Sequence, residues 1–285
     1  MTLKKREALF GLLLMTPWLI GLFAFTLYPI LYSFWMSICR MSFSAAGLQS
    51  EFVGFQWYRA IFLEDATFLA SLLDTLKFIV FSTPMILVAA TVLAILLNSI
   101  VKGRTFFRAL FFFPVMVISG PIMNRLINNN ATAIIHADQY IVYNVIAQLP
   151  DVISVPLLYI FDNIVVILWY SGLQILIILV GLQRIGRPLY EAAEIDGASS
   201  WQKFWTITFP MIRPMILLSG IYTVVQLANL SDNSIVKLIA NDLTMIDSPY
   251  SYSAAISWLY TLAVLLILAI VFLLLRERRK DNGAK

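Results

Sequence analysis

Leu9 to Ser33 is a charge-free, mostly apolar run of roughly 25 residues, and five more long, mostly apolar stretches follow it. A helix needs about 20 such residues to cross a bilayer, so runs like these constrain the fold more than any motif does. Spans are expected at 9–33, 78–98, 106–126, 163–184, 211–231 and 254–275. Pro114 and Pro121 interrupt the third, while Ser171 and Gln174 in the fourth and Gln226 and Asn229 in the fifth place amides and a hydroxyl inside apolar runs. Lys4, Lys5 and Arg6 before the first run resemble the start of a signal peptide, but a cleaved apolar region is only about 7–15 residues long. The run is therefore read as a retained first span.

Composition agrees with a chain that uses lipid as part of its solvent. It is 60% hydrophobic and 13% charged, against about a quarter charged for a soluble domain. Orientation follows from the basic residues, which favour cytoplasmic loops. With the N-terminus inside, fifteen of the 20 Lys and Arg fall in inside segments, and only Arg40, Arg59, Lys77, Arg125 and Lys237 fall outside. Both termini are thus expected in the cytoplasm. The net charge of +4 is a topology signal and does not point to nucleic acid. The expected fold class is an all-α integral membrane protein with six transmembrane helices, both termini cytoplasmic, and a cytoplasmic loop with helices of its own. Residues 1–73 hold the first helix and first outer loop, 74–275 a five-helix core, and 276–285 a basic tail.

Several chemistries are excluded on residue supply. One cysteine (Cys39) and one histidine (His136) leave too few ligands for a metal site or groups for a nucleophilic triad. The stretch Gly181–Pro188 has loop-like glycine spacing, but it lacks the Lys and Ser/Thr that hold phosphate and magnesium. This chain is therefore not expected to hydrolyse ATP. No charge sits at mid-span, which disfavours an ion-coupled carrier.

The inside loop at 185–210 has a grammar of its own. Pro188 suits a first helical turn, and Leu189, Ala192, Ala193 and Asp196 recur at helical spacing. Gly197 supplies a left-handed stop, and Ser199 with Gln202 reads as a capping box opening a second helix that Pro210 and Pro214 end or kink. Small residues at the centre and carboxylates at Glu191, Glu194 and Asp196 suit a docking knob better than a hairpin on anionic lipid.

Glu191-Ala192-Ala193, three residues, Gly197, nine residues, Ile207, one residue, Phe209-Pro210 resembles the EAA loop of binding-protein-dependent ABC importer permeases, with Phe209 where Leu is usual. Pro17–Met36, the segment Phe52–Tyr58 and Arg104–Pro114 are similar to the carbohydrate-uptake class, and Glu194–Ser199 to the subunit type represented by the larger maltose permease. The resemblance fades at 127–160 and 233–250. It implies that Glu191, Ala192, Ala193, Glu194, Asp196, Gly197 and Pro210 form a coupling loop for a separate ATPase chain, which would bind the ATP and magnesium, with no cofactor in this chain. It also implies a second homologous permease subunit, two ATPase subunits, an extracytoplasmic solute-binding protein, a sugar substrate, alternating access, and a bacterial or archaeal plasma membrane. Tyr222, Gln226 and Asn229 on one face of span five, with Trp169, Tyr170 and Gln174 in span four, are candidates for the substrate path, since aromatic rings and amides suit a sugar. Interhelical hydrogen bonding is the equal alternative for each.

Overall fold

The computed structural model describes residues 3–44, 47–99, 141–162, 164–244 and 250–276. The expected third span, 106–126, lies outside the described residues. Four described helices are long and apolar enough to cross a membrane: Gly11–Ser37, Ala66–Ser99, Ser200–Ala228 and Tyr250–Leu275. They occupy the expected first, second, fifth and sixth spans, with different ends. The chain divides into two compact units, Met1–Leu73 with Ser234–Leu262 and Asp74–Asn233 with Ala263–Lys285.

In the first unit the first span turns its large side chains outward, with Leu14 79% and Phe25 82% exposed. That is the burial pattern of a helix solvated by lipid. A π-helical turn, Phe23–Leu27, lies in its middle. The chain then departs from an all-helical reading in one small hairpin. Cys39–Ser44 pairs antiparallel with Gly47–Phe52, Cys39 opposite Phe52 and Met41 opposite Ser50. Tertiary contacts hold it: Met41 N–H donates to Ser251 Oγ (2.9 Å) and Trp57 Nε1–H to the Cys39 carbonyl (3.0 Å). Arg40 lies over the Trp57 ring at 5.5 Å.

The helix of the second span begins at Ala66, well before the expected residue 78. Asp65 explains the earlier start. Its Oδ1 accepts from the amides of Thr67 and Phe68, capping the helix, and its Oδ2 accepts from Tyr252 OH at 2.8 Å. Phe68 then packs with Ile61, Ile235, Ala255 and Ile256. Ile235 belongs to an amphipathic helix, Ser234–Thr244, within one of the segments where the family resemblance fades.

In the second unit Leu87, Ala90, Ala94 and Leu97 form one helical stripe against Ile175, Ile178, Leu179 and Leu182 and against Ile212 and Ile216. Helices in lipid gain little from the hydrophobic effect and depend on close approach. Gly181 provides it: a Cβ there would lie 2.7 Å from Met215 Cγ. The expected fourth span is divided, as Ile164–Tyr170 and Gly172–Gln183. Ser171 forms the joint, its Oγ donating to the Leu168 carbonyl at 2.7 Å in place of a continuous ladder.

Candidate coupling loop and intramembrane polar contacts

After Gln183 the chain turns sharply. Gly186 is extended, Pro188 sits in the first turn of the next helix, and Arg187–Ile195 leaves at 65° to Gly172–Gln183. This second helix is charged and largely exposed.

The helix ends as its sequence requires. Gly197 has φ +75°, a conformation costly for residues with a Cβ. Gly197 N–H donates to the Glu194 carbonyl (3.0 Å) and Ala198 N–H to the Ala193 carbonyl (2.9 Å), the paired bonds of a Schellman stop. Ser199 then opens the next helix with a reciprocal box. Its N–H donates to Gln202 Oε1 (2.8 Å), and its Oγ accepts from Gln202 N–H (3.3 Å).

Two side-chain contacts brace the helices against each other. Lys203 Nζ donates to Glu194 Oε1, and the hydroxyls of Tyr190 and Thr208 share a hydrogen bond of 2.9 Å. Tyr190 and Ala193 are half-buried on the inner side of the first helix. Glu191, Ala192, Asp196 and Gly197 are exposed, and Ile195 is 87% exposed. Six of the seven residues expected to couple, Glu191, Ala192, Ala193, Glu194, Asp196 and Gly197, lie on this helix and its stop, and Pro210 lies in the following helix Phe209–Ala228. Ala193, however, is turned partly inward while Ala192 is open.

The second helix does not stop at Pro210. Ser200–Lys203 continues through a π-helical turn, Phe204–Thr208, into Phe209–Ala228. Proline cannot donate the backbone bond of a regular turn, and the wider turn before it absorbs that loss. The extra residue also brings Phe209 back beside the rings of Phe204 and Trp205, at 6.1 and 5.1 Å.

The six intramembrane candidates separate into two groups. Gln174 is fully buried, and its Nε2 donates to Thr223 Oγ1 (2.9 Å) and Gln226 Oε1 (3.2 Å), so these residues join spans four and five. Tyr222 is 39% exposed, and Asn229 is exposed with its amide donating to the Val225 carbonyl of its own helix. Among the described residues, Trp169 Nε1, Tyr170 OH, Gln174 Oε1 and Ser219 Oγ are enclosed without a hydrogen-bond partner. Thr223 and Ser219 were missed by reading the sequence, although they continue the Gln226 side of the helix at spacings of three and four.

A further contact was also missed. Arg213 Nε donates to the Leu275 carbonyl at 3.0 Å, and its Nη2 donates to the carbonyls of Arg276 (3.1 Å) and Leu274 (3.4 Å).

Residues 60–276 match the family model described as binding-protein-dependent transport system inner membrane component. The trehalose/maltose transport system permease protein of Thermococcus litoralis is 28% identical over 300 residues, covering 98% of this chain and 97% of that one. The lactose transport system permease protein of Rhizobium radiobacter is 28% identical over 305 residues, with 98% of each covered. Among solved structures, a bacterial ABC transporter involved in the import of the acidic polysaccharide alginate shares the fold, with TM-score 0.62 and 20% identity over 97% of this chain and 98% of that one. The matched family model spans most of the chain, and the apolar helices are those of a multi-pass inner-membrane protein; the chain belongs to the family of inner-membrane permease components of binding-protein-dependent importers.

Proposed function

We propose that this permease imports a sugar or oligosaccharide, and that Arg187–Ile195 is the element through which a separate ATPase chain drives it. One observation carries the reading most directly. The helix leaves the preceding one at 65°, is stopped by Gly197 and is braced at Tyr190 and Glu194, while Glu191, Ala192 and Ile195 remain open. A rigid surface with small, apolar and acidic groups suits a groove with basic edges on another protein. The sugar assignment is supported by two relatives named for disaccharide transport, each aligned over nearly the whole chain.

In this reading a second, related permease subunit completes the pathway and an extracytoplasmic binding protein delivers the solute. ATP and magnesium are held by two ATPase subunits. ATP binding draws the loops together and opens the bundle outward, and hydrolysis returns it. The chain crosses the membrane six times with both ends inside, and Tyr222, with Gln226 and Asn229, borders the route.

The test is transport into vesicles carrying the reconstituted complex. Uptake is expected to require ATP, the ATPase and the binding protein. Glu191→Lys or Gly197→Asp is expected to abolish it while the complex still assembles. Normal transport by both variants would overturn the coupling role, and uptake by this chain alone under an ion gradient would overturn the importer mechanism. A glycan panel against the partner binding protein identifies the solute.

A further inference from the structure

The last membrane helix is described as Tyr250–Leu275, and its final carbonyls meet a side chain from another helix. The sequence runs on as Arg276-Glu277-Arg278-Arg279, without a glycine directly after the helix. The final carbonyls of a helix have no partners within it and carry the negative end of its dipole. Arg213 supplies both a donor and a charge from another helix. Its guanidinium donates to three consecutive carbonyls, Leu274, Leu275 and Arg276, and brings a positive charge to that end. A lysine ammonium is a compact point donor and cannot spread its bonds as the planar guanidinium does.

The place of Arg213 in the chain gives the contact mechanical meaning. It stands five residues beyond Thr208, which is hydrogen-bonded to Tyr190 of the exposed loop helix. Seven residues further, on the same face, Gly220 holds the same two helices close. A Cβ there would lie 3.2 Å from Val271 Cγ1 and 3.3 Å from Leu275 Cδ1. The fifth and last spans are therefore joined twice along one face, by a three-bond tie at the end and a glycine notch two turns deeper.

We infer that Arg213 is a positioning residue that makes the ends of the fifth and last membrane helices near the coupling loop move as one body, carrying displacement of that loop into the last span. This inference rests on the coupling role proposed above. Without the tie, motion at Lys203 and Thr208 is absorbed by sliding between the two helices.

The experiment uses the full reconstituted complex, with Arg213→Met and Arg213→Lys as variants. Arg213→Met is expected to assemble and hydrolyse ATP while moving at least about 5-fold less solute per ATP, and Arg213→Lys to fall between it and the unaltered protein. Spin labels at Met211→Cys and Phe272→Cys, both half-exposed positions, report the helix pair in a Cys39→Ser background. Their separation is expected to stay constant between nucleotide-free and ATP-bound states when Arg213 is present, and to become state-dependent in Arg213→Met. If Arg213→Met fails to assemble, Arg213→Lys carries both measurements. A normal transport-to-ATP ratio in the variant, or a state-dependent distance in the unaltered protein, overturns the tie. Absence of ATP-driven uptake by the unaltered complex would instead count against the importer reading itself.

Discussion

Lys203 Nζ lies 2.6 Å from Glu194 Oε1, joining the last turn of the exposed loop helix to the first turn of the fifth span. The lysine side chain is 17% exposed and the carboxylate 61%, so the pair lies partly in water and is screened there. Its value is geometric, since it fixes the angle at which the loop helix meets the span.

Reversing either charge places like charges at that joint. Glu194→Lys and Lys203→Glu are each expected to lower ATP-driven transport about 2–5-fold. The doubly reversed protein is expected to recover most of the loss. Transport assays in vesicles read all three; additive losses would show that the pair does not act as a unit.

Gly197 tests the hinge separately from its surroundings. A Cβ at this position meets nothing within 4 Å, so Gly197→Ala alters backbone strain alone. A left-handed alanine costs about 1–2 kcal/mol. Hydrogen exchange at the Ala198 amide, which donates to Ala193, is expected to speed up about 5–30-fold. Gly197→Asn, which tolerates that conformation, is expected to do so less.

Gln174 distinguishes adhesion between helices from substrate contact. Its amide is buried and donates to Thr223 and Gln226. Gln174→Leu is expected to cost about 1 kcal/mol of stability and to leave the solute KM unchanged. Tyr222→Ala, at a half-exposed position, is expected to raise KM with little loss of stability. Thermal unfolding and uptake kinetics on both variants decide it, and the reverse pattern would exchange their roles.

Asp242 and Asp65 give the first unit opposite pH responses. Burial first, and the Asp65 charge second, raise the Asp242 carboxyl above its usual range. An acid with a raised folded pKa costs stability where it is charged, so the cost is full above that value and fades as pH falls through it toward the unfolded value. Asp65 is raised by burial but lowered more by hydrogen bonds from Thr67, Tyr252 and the amides of Phe68 and Thr67, and ends below its usual value. Its stabilisation is present above the unfolded pKa and is lost as pH falls through the folded one. Asp242→Asn is expected to raise Tm about 1–3 °C near pH 7 and to have almost no effect near about pH 4. An equal change at both pH values would contradict this assignment.

The parts of the structure that could be read from the sequence are those set by local rules. Gly197, Ser199 and Gln202 take the conformations their chemistry requires, and the apolar runs mark the described spans. Features set at a distance were hidden. Cys39–Phe52 has no strong alternation, and its hairpin is held by Ser251 and Trp57. Ser171 looked like any other hydroxyl in an apolar run, yet it divides a helix. Pro210 read as a stop or a kink because a proline breaks a regular turn, and the wider turn preceding it lets the helix continue. The Arg213 tie joins residues about sixty positions apart, where no helical or strand period operates.

The bond from Met41 to Ser251 links residues 210 positions apart, and it bears on how the protein is made. At about 5–20 residues per second, a ribosome needs about 10–40 s after Met41 to reach Ser251. Over that interval the hairpin stands without the hydroxyl that receives its amide. Ile61 and Phe68 likewise wait for Ile235, Ala255 and Ile256. A segment made early is therefore completed by a span made some 200 residues later. A chain truncated before Ser251 would keep most of its membrane helices and still present an unfinished surface to the cell's proteases.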